Sequence, residues 1–305
     1  MSRLDLSGIN PANVVPLADD GERIDESGLR SHLRDLVTTE GMNGIVCNGH
    51  VGEVYALTRD EQLRVVEIAR EVTPDGMPVV SGVVGGSTTE TVEQAGRMKE
   101  AGADGLLVIP PHTPINEHRR AAVTFFEDLS DGVDVPLVIF QHPTWAGGFY
   151  EPSLLAELIG VDNVVAVKDA VWDVDHYQED VRAIRDADED VQVLVANDEH
   201  LLPSFSIRSE GVILELAAVI PELVRDLHAA VEASDIAAAR RVYARMEPFI
   251  DAMYEPPVTE SHTRLKVALE LQGRIDSAVP RRPGVPIDDE EVESIRESME
   301  ATGIL

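Results

Sequence analysis

The stretch Glu100-Ala101-Gly102-Ala103-Asp104-Gly105-Leu106-Leu107-Val108-Ile109 contains the unit that decides the fold. Its first half ends a helix, with a glycine just past the helix end, and a tight turn leads into a fully apolar strand. The same phrase recurs as Glu40-Gly41-Met42-Asn43-Gly44 before another apolar run. Strands that are apolar throughout, rather than at alternate positions, are typical of parallel sheets buried on both faces.

Apolar runs of this kind recur along the chain, with helical patterns between them. One of the intervening helices begins with a capping box, Ser87-Thr88-Thr89-Glu90. Eight strand-helix units within roughly 220 residues predict a TIM (β/α)8 barrel, an α/β fold, with a doubly wound open sheet as the alternative. The predicted strands are Ala12–Val15, Gly44–Asn48, Pro78–Val83, Gly105–Ile109, Val135–Gln141, Val164–Lys168, Val191–Ala196 and Gly211–Leu216.

The chain becomes helical after the last of these strands. Apolar positions at helical spacing predict helices over Ile236–Met253 and Ser261–Gln272, and a final acidic helix over Asp288–Ala301. We therefore divide the chain into a barrel, residues 1–221, and a C-terminal helical extension packed on it, residues 222–305.

The composition excludes several classes of function. With 305 residues, 44% of them hydrophobic, the chain can bury the core of a large globular domain. Its 56 acidic and 25 basic residues give a net charge of -31, which repels phosphate backbones and anionic membrane surfaces. Nucleic-acid and membrane partners are therefore not expected. No apolar run of about 18 residues and no signal-peptide pattern occurs, and Cys47 is the single cysteine, so we expect a cytoplasmic protein.

The negative charge is spread along the whole chain, and the basic residues include only three lysines, Lys99, Lys168 and Lys266. This pattern predicts a halophilic protein from a haloarchaeal host. Because salt screens the repulsion between surface carboxylates, we expect the melting temperature to rise between dilute buffer and molar KCl. A flat or falling melting temperature in a thermal-denaturation series over that range would contradict this interpretation.

The run Val164-Val165-Ala166-Val167-Lys168-Asp169 places a lysine at the carboxyl end of the sixth strand, where TIM-barrel active sites lie. Burial at the end of so apolar a strand disfavours the ammonium form and leaves a neutral amine that can attack a carbonyl. The alternative is an exposed lysine at the strand end, paired with Asp169.

A turn with two glycines, Gly49-His50-Val51-Gly52-Glu53, follows the second strand, and its backbone N–H groups suit a carboxylate or phosphate. This turn and the lysine strand resemble the Gly-Thr-Thr-Gly-Glu turn and the Schiff-base lysine strand of one enzyme family. It comprises the pyruvate-dependent class I aldolases and dehydratases, which include dihydrodipicolinate synthase and N-acetylneuraminate lyase. The resemblance extends over nearly the whole chain through Val15-Pro16-Leu17, Asn197-Asp198-Glu199, Gly211-Val212-Ile213 and Arg282-Pro283.

The resemblance implies that Lys168 condenses with the ketone of a small-molecule 2-oxo acid. The protonated imine is then an electron sink that acidifies the protons on carbon 3, so no further cofactor is expected. It also implies that Gly49 to Val51 bind the substrate carboxylate, that Ile213 lines the pocket, and that the protein is a homotetramer.

The chain departs from the family pattern where the catalytic hydroxyls stand. Phe140-Gln141-His142-Pro143 replaces a Tyr-Asn-x-Pro phrase, so the phenylalanine cannot relay a proton. His50 and Val51 replace the two threonines of the family turn, and His112 replaces a tyrosine supplied by a neighbouring subunit. Trp145 replaces the arginine with which dihydrodipicolinate synthases bind a second carboxylate, a loss of about 2 kcal/mol or more for such a substrate.

Histidines that titrate near neutral pH are the candidates to replace the missing hydroxyls. We predict catalytic roles for His50 and His142, with His112 as a further candidate. The alternative for each is a residue of the pocket wall or of the surface.

Other polar residues have less specific predicted roles. Glu215 is a further candidate acid, with a structural ion pair as its alternative. We expect Glu53 to hold its turn by hydrogen bonds. No metal site is expected, since Asp173, Asp175 and His176 resemble a metal cluster only superficially. The predicted substrate contacts are Gly49, Val51, Phe140, Gln141, Trp145 and Ile213.

Two classes of function fit these residues. The first is a Schiff-base lyase acting on a 2-keto-3-deoxy sugar acid. Dehydration of a pentonate is preferred, because family dehydratases of this kind also lack the tyrosine and carry a glutamine at the place of Gln141. Aldol cleavage to pyruvate is the alternative, and dihydrodipicolinate synthase activity is less favoured. The second class is a catalytically inactive binding protein on the same barrel, against which a buried Lys168 argues, since an unused buried charge is costly.

Overall fold

A computed structural model describes residues 4–110, 118–142 and 149–305 of the chain. These residues contain eight strands, all parallel to their neighbours. The strands are β1 Gly8–Pro11, β2 Ile45–Cys47, β3 Val79–Val83, β4 Gly105–Val108, β5 Leu137–Gln141, β6 Val164–Asp169, β7 Gln192–Val195 and β8 Gly211–Leu214.

The sheet closes on itself. Its strands run in the order β1-β8-β7-β6-β5-β4-β3-β2, and hydrogen bonds join the two ends. The Asn13 N–H donates to the Val46 carbonyl at 3.0 Å, and the Asn43 N–H donates to the Ile9 carbonyl at 2.7 Å. The predicted TIM barrel is therefore confirmed, and the open-sheet alternative is excluded.

Helices follow the strands in regular alternation. The eighth helix contacts β1 and the ninth helix, so the strand-helix pattern repeats eight times before the additional helices begin. None of the helices in the described part of the chain has the length and apolarity that a membrane crossing requires. The helices are α1 Glu26–Thr38, α2 Arg59–Val72, α3 Thr88–Glu100, α4 Arg119–Gly132, α5 Pro152–Leu158, α6 Val174–Ala187, α7 Leu201–Ile207, α8 Pro221–Glu232, α9 Ile236–Tyr254, α10 Ser261–Leu271 and α11 Asp289–Thr302.

The helix starts follow local capping chemistry. Ser87 caps α3 as predicted, accepting from the Glu90 N–H at 3.3 Å, but the Glu90 carboxylate accepts from the Gly86 N–H at 2.9 Å instead of completing the box. A complete capping box stands at α2, where Thr58 and Glu61 each bond the other's backbone N–H. Such caps satisfy backbone donors that the first helical turn leaves without intrahelical partners.

The first strand begins at Gly8, not at Ala12 as the sequence pattern predicts. The pattern favours the β-branched pair Val14-Val15, yet these residues follow the strand and are buried beyond its end. The strand itself contains glycine, asparagine and proline, which have low β propensity, and pairing with β8 holds it in place. Its partner strand β8 ends at Leu214, not at Leu216 as predicted. Glu215 therefore lies just past the strand rather than within it.

The C-terminal extension contains α9, α10 and α11, close to the predicted bounds. The segment Val279–Pro283 between α10 and α11 is not helical, as its prolines predict. Contacts of α9 with α7 and α8 attach these helices to the barrel, and contacts between α9 and α11 hold them together. The division of the chain at residue 221 stays a prediction.

Candidate active site

A cavity of about 590 Å³ opens at the carboxyl ends of the strands, the position that barrel topology predicts for a site. Residues of the C-terminal extension complete its wall. The structure brings together in this wall most of the residues that the sequence singles out. They are Gly49, His50, Val51, Glu53, Phe140, Lys168, Ile213 and Glu215.

Lys168 lies at the centre of this cavity wall, on β6. It is 9% exposed, and its Nζ lies 3.8 Å from the ring centroid of Phe140, the residue opposite it in register on β5. Burial lowers the pKa of the Lys168 ammonium to about 8, although the negative charges of Glu215 and Asp198 partly oppose this. With a pKa of about 8, roughly a tenth of the Lys168 side chains carry a neutral, nucleophilic amine at pH 7, and the share rises with pH.

The alternative pairing of Lys168 with Asp169 does not occur. Successive residues of a strand face opposite sides, so Lys168 faces the cavity and Asp169 faces the surrounding helices. There Asp169 is fully buried beside Asp180 of α6. Burial and the charge of Asp180 raise the pKa of Asp169 well above its usual value, so this carboxyl pair holds a proton behind the barrel wall.

The same alternation directs Gln141 away from the cavity. Its Nε2 donates to the Tyr150 carbonyl at 2.7 Å and to Asp180 Oδ2 at 2.9 Å, and its Oε1 accepts from the Tyr150 N–H at 3.0 Å. The sequence pattern predicts a substrate contact for Gln141. The structure instead places this side chain in a buried network that orients the end of β5.

His50 stands at the cavity mouth among aromatic rings. Its ring centroid lies 5.3 Å from that of Phe140 and 4.9 Å from that of His142, the latter edge-on. Its Nε2 lies 3.1 Å from the Tyr55 hydroxyl, within hydrogen-bonding distance. His142 is 1% exposed, and its ring packs edge-on against that of Phe140, with 4.2 Å between the ring centroids. It therefore forms the buried side of this aromatic cluster. His112 and Trp145 lie outside the described residues.

Glu53 fixes the glycine turn to the C-terminal extension. One carboxylate oxygen forms an ion pair with Lys266 of α10, and the other accepts from the Arg281 N–H at 2.6 Å. Its backbone adopts a φ of 53°, in the left-handed region. The hydrogen-bonding role predicted for Glu53 thus has specific, distant partners.

The match to known proteins fits this arrangement of lysine, turn and barrel. The model of the dihydrodipicolinate synthetase family matches residues 5–302. The chain belongs to this family. The 4-hydroxy-tetrahydrodipicolinate synthase of Methanopyrus kandleri is 30% identical over 302 residues, covering 98% of this chain and 97% of the relative. That of Haloarcula marismortui is 31% identical over 297 residues, covering 97% and 94%.

Solved structures of the family share the fold. A prophage protein of E. coli K12, described in complex with pyruvate, and the dihydrodipicolinate synthase of Thermotoga maritima each have a TM-score of 0.90. Both are 24% identical to this chain, covering 98% of it and 99% of their own length. As a member of the dihydrodipicolinate synthetase family, the chain belongs to a class of Schiff-base lyases.

Two cavity residues of this family member are absent from the sequence prediction. Tyr254, the last residue of α9, donates its hydroxyl to Glu215 Oε1 at 2.8 Å, and Tyr55 contacts His50. No local pattern marks Tyr254, because it reaches the site from a helix 39 residues beyond Glu215 in sequence. Tyr55 stands two residues after the end of the glycine turn, which is the one signal that places it near the site.

The Lys266–Glu53 ion pair gives a prediction for stability. Both side chains are buried, at 0% and 5% exposure, so the Lys266→Met variant leaves the Glu53 charge uncompensated. We expect it to lose about 3–5 kcal/mol of unfolding free energy, measured by chemical denaturation in high salt. The Lys266→Met/Glu53→Gln double variant should lose less than the single one, because it removes both charges. A loss below about 1 kcal/mol in the single variant would place the pair with exposed, weak ion pairs.

Proposed function

We propose that this family member is a Schiff-base-forming dehydratase of a 2-keto-3-deoxy sugar acid of the pentonate type. One observation carries the proposal: the buried amine of Lys168 lies 3.8 Å from the ring of Phe140, which has no hydroxyl. The pyruvate bound to the E. coli relative supports a 2-oxo acid as the ligand. The lysine imine itself supplies the electron sink, so the proposed reaction requires no further cofactor.

The absence of a hydroxyl on Phe140 favours elimination over cleavage. Retro-aldol cleavage needs a base on the carbon 4 hydroxyl, which Phe140 cannot supply. Elimination needs an acid that protonates this hydroxyl as it leaves, and such help is typically worth about 10²–10⁴ in rate. A protonated His50, held between Tyr55 and His142 at the cavity mouth, is suited to this task.

The charge of the cavity supports an uncharged, hydroxylated substrate tail. Asp198, Glu199 and Glu215 line it, and none of them offers the positive charge that would bind a second carboxylate. Arg281 also lines it, but this guanidinium is already bonded to Glu61 at 2.7 Å. The substrate of a 4-hydroxy-tetrahydrodipicolinate synthase, which carries a second carboxylate, fits this cavity less well.

Product analysis tests the proposal. Incubation with a 2-keto-3-deoxy-pentonate should give a semialdehyde of 2-oxoglutarate, identified by mass spectrometry and NMR. Pyruvate and glycolaldehyde as the main products would instead establish the aldolase alternative. If neither forms and no 2-oxo acid becomes bound to Lys168, the inactive binding protein is the remaining interpretation. The homotetrameric assembly and the cytoplasmic location stay predictions.

A further inference from the structure

We propose that Glu215 is the base that removes the carbon 3 proton from the imine on Lys168, and that Tyr254 holds its carboxylate in place. The inference rests on the proposed Schiff-base function. Because a ring without a hydroxyl stands opposite Lys168, the carbon 3 proton needs another acceptor. Glu215 and Tyr254 line the same cavity as Lys168.

The geometry fixes the carboxylate. Glu215 follows β8 directly, two residues after Ile213, which also lines the cavity. Its Oε1 accepts the Tyr254 hydroxyl at 2.8 Å. Because this bond restrains the carboxylate, Oε2 has a defined direction in which to accept a proton.

The electrostatic interactions of Lys168 show that Glu215 lies close to the amine. Both Glu215 and Asp198 act on Lys168, raising the pKa of its ammonium against the effect of burial. Asp198 is almost fully buried, and burial together with the charge of Glu215 raises its pKa well above the usual range. Both carboxylates therefore lie within electrostatic range of the amine, and Glu215 is the one whose carboxylate also accepts a hydroxyl hydrogen bond, from Tyr254.

Arg264 of α10 positions Tyr254. This guanidinium is 1% exposed and donates to the carbonyls of both residues that flank Tyr254, Met253 at 3.2 Å and Glu255. Its Nε also donates to Glu291 of α11 at 2.5 Å. The end of α9 is thereby fixed by two further helices of the extension.

The proton balance of the elimination closes with these groups. Glu215 takes the carbon 3 proton, and the electron pair of the C–H bond forms the enamine and neutralises the imine nitrogen. The enamine expels the carbon 4 hydroxyl, which leaves as water with a proton from His50. In the unsaturated imine, Glu215 returns its proton to carbon 3 and His50 regains one from carbon 5, which gives an enol. The enol then becomes the aldehyde as carbon 4 gains a proton and the carbon 5 hydroxyl loses one. Hydrolysis then releases Lys168.

Deuterium exchange into pyruvate isolates the first of these steps. Wild-type protein in D₂O should exchange the methyl protons of pyruvate, followed by NMR, because the imine and enamine interconvert. In Glu215→Gln the amide oxygen still accepts the Tyr254 hydroxyl, but it cannot take a proton. We expect exchange to fall by about 10²–10⁴-fold, while borohydride still traps pyruvate on Lys168.

Two further variants sharpen the test. Tyr254→Phe should slow exchange by about tenfold, the value of one hydrogen bond to a charged group, and leave trapping intact. Glu67→Gln removes a carboxylate from an exposed ion pair with Arg64 on α2, outside the cavity wall, and should exchange at the wild-type rate. Unchanged exchange in Glu215→Gln, with trapping intact, would overturn the inference alone. Absence of trapping in the wild-type protein would overturn the Schiff-base function and the inference with it.

Discussion

The Lys168→Ala variant is expected to lose both imine trapping and turnover to background. In wild-type protein, the amine attacks the ketone of a 2-oxo acid, water leaves, and borohydride reduces the imine to a stable adduct on Lys168. Intact-mass measurement after reduction with pyruvate detects this adduct. Lys99→Ala is the matched control, because Lys99 lies on α3, where its Nζ donates to the Asp134 carbonyl at 2.9 Å.

The pH dependence of trapping should follow the same lysine. Because burial lowers the pKa of Lys168 to about 8, raising the pH through about 8 converts the ammonium to the neutral amine. The initial rate of adduct formation should therefore rise across this range and level off above it. An unmodified wild-type protein, or equal labelling of the Lys168→Ala variant, would remove Lys168 from the chemistry.

The His50→Ala variant should separate elimination from imine formation. Loss of the acid at the cavity mouth is expected to slow semialdehyde formation by about 10²–10⁴-fold, whereas trapping and deuterium exchange should continue at near wild-type rates. Tyr55→Phe keeps the imidazole and removes its hydroxyl neighbour, so a smaller loss is expected. A parallel fall of trapping and elimination in His50→Ala would instead point to a role in binding the substrate.

Local sequence patterns were sufficient for the features that depend on local interactions. The apolar run before Lys168 predicts a buried strand and a perturbed amine, and alternation along that strand decides that Asp169 faces away. The pattern failed at the first strand, where pairing with β8 prevails over the low β propensity of its residues. It also failed for Gln141, because a motif gives the identity of a residue but not the network that orients it.

The remaining site residues depend on contacts between distant parts of the chain. Lys266 is separated from Glu53 by 213 residues, and Tyr254 from Glu215 by 39. No periodicity or motif within one segment reports such pairs. These pairs can be identified only in the folded structure, in which the extension reaches the carboxyl ends of the barrel strands.

The buried bond between Glu53 and Lys266 restricts how this protein can be recombined with its relatives. A chimera that joins this barrel to the C-terminal helices of another family member inherits the turn from one parent and its anchor from the other. If the two parents hold the turn by different contacts, the hybrid keeps a folded barrel but misplaces the turn on which the substrate carboxylate is proposed to rest. Crossover points in a shuffled library therefore need to keep residues 49–53 and 254–281 from the same parent.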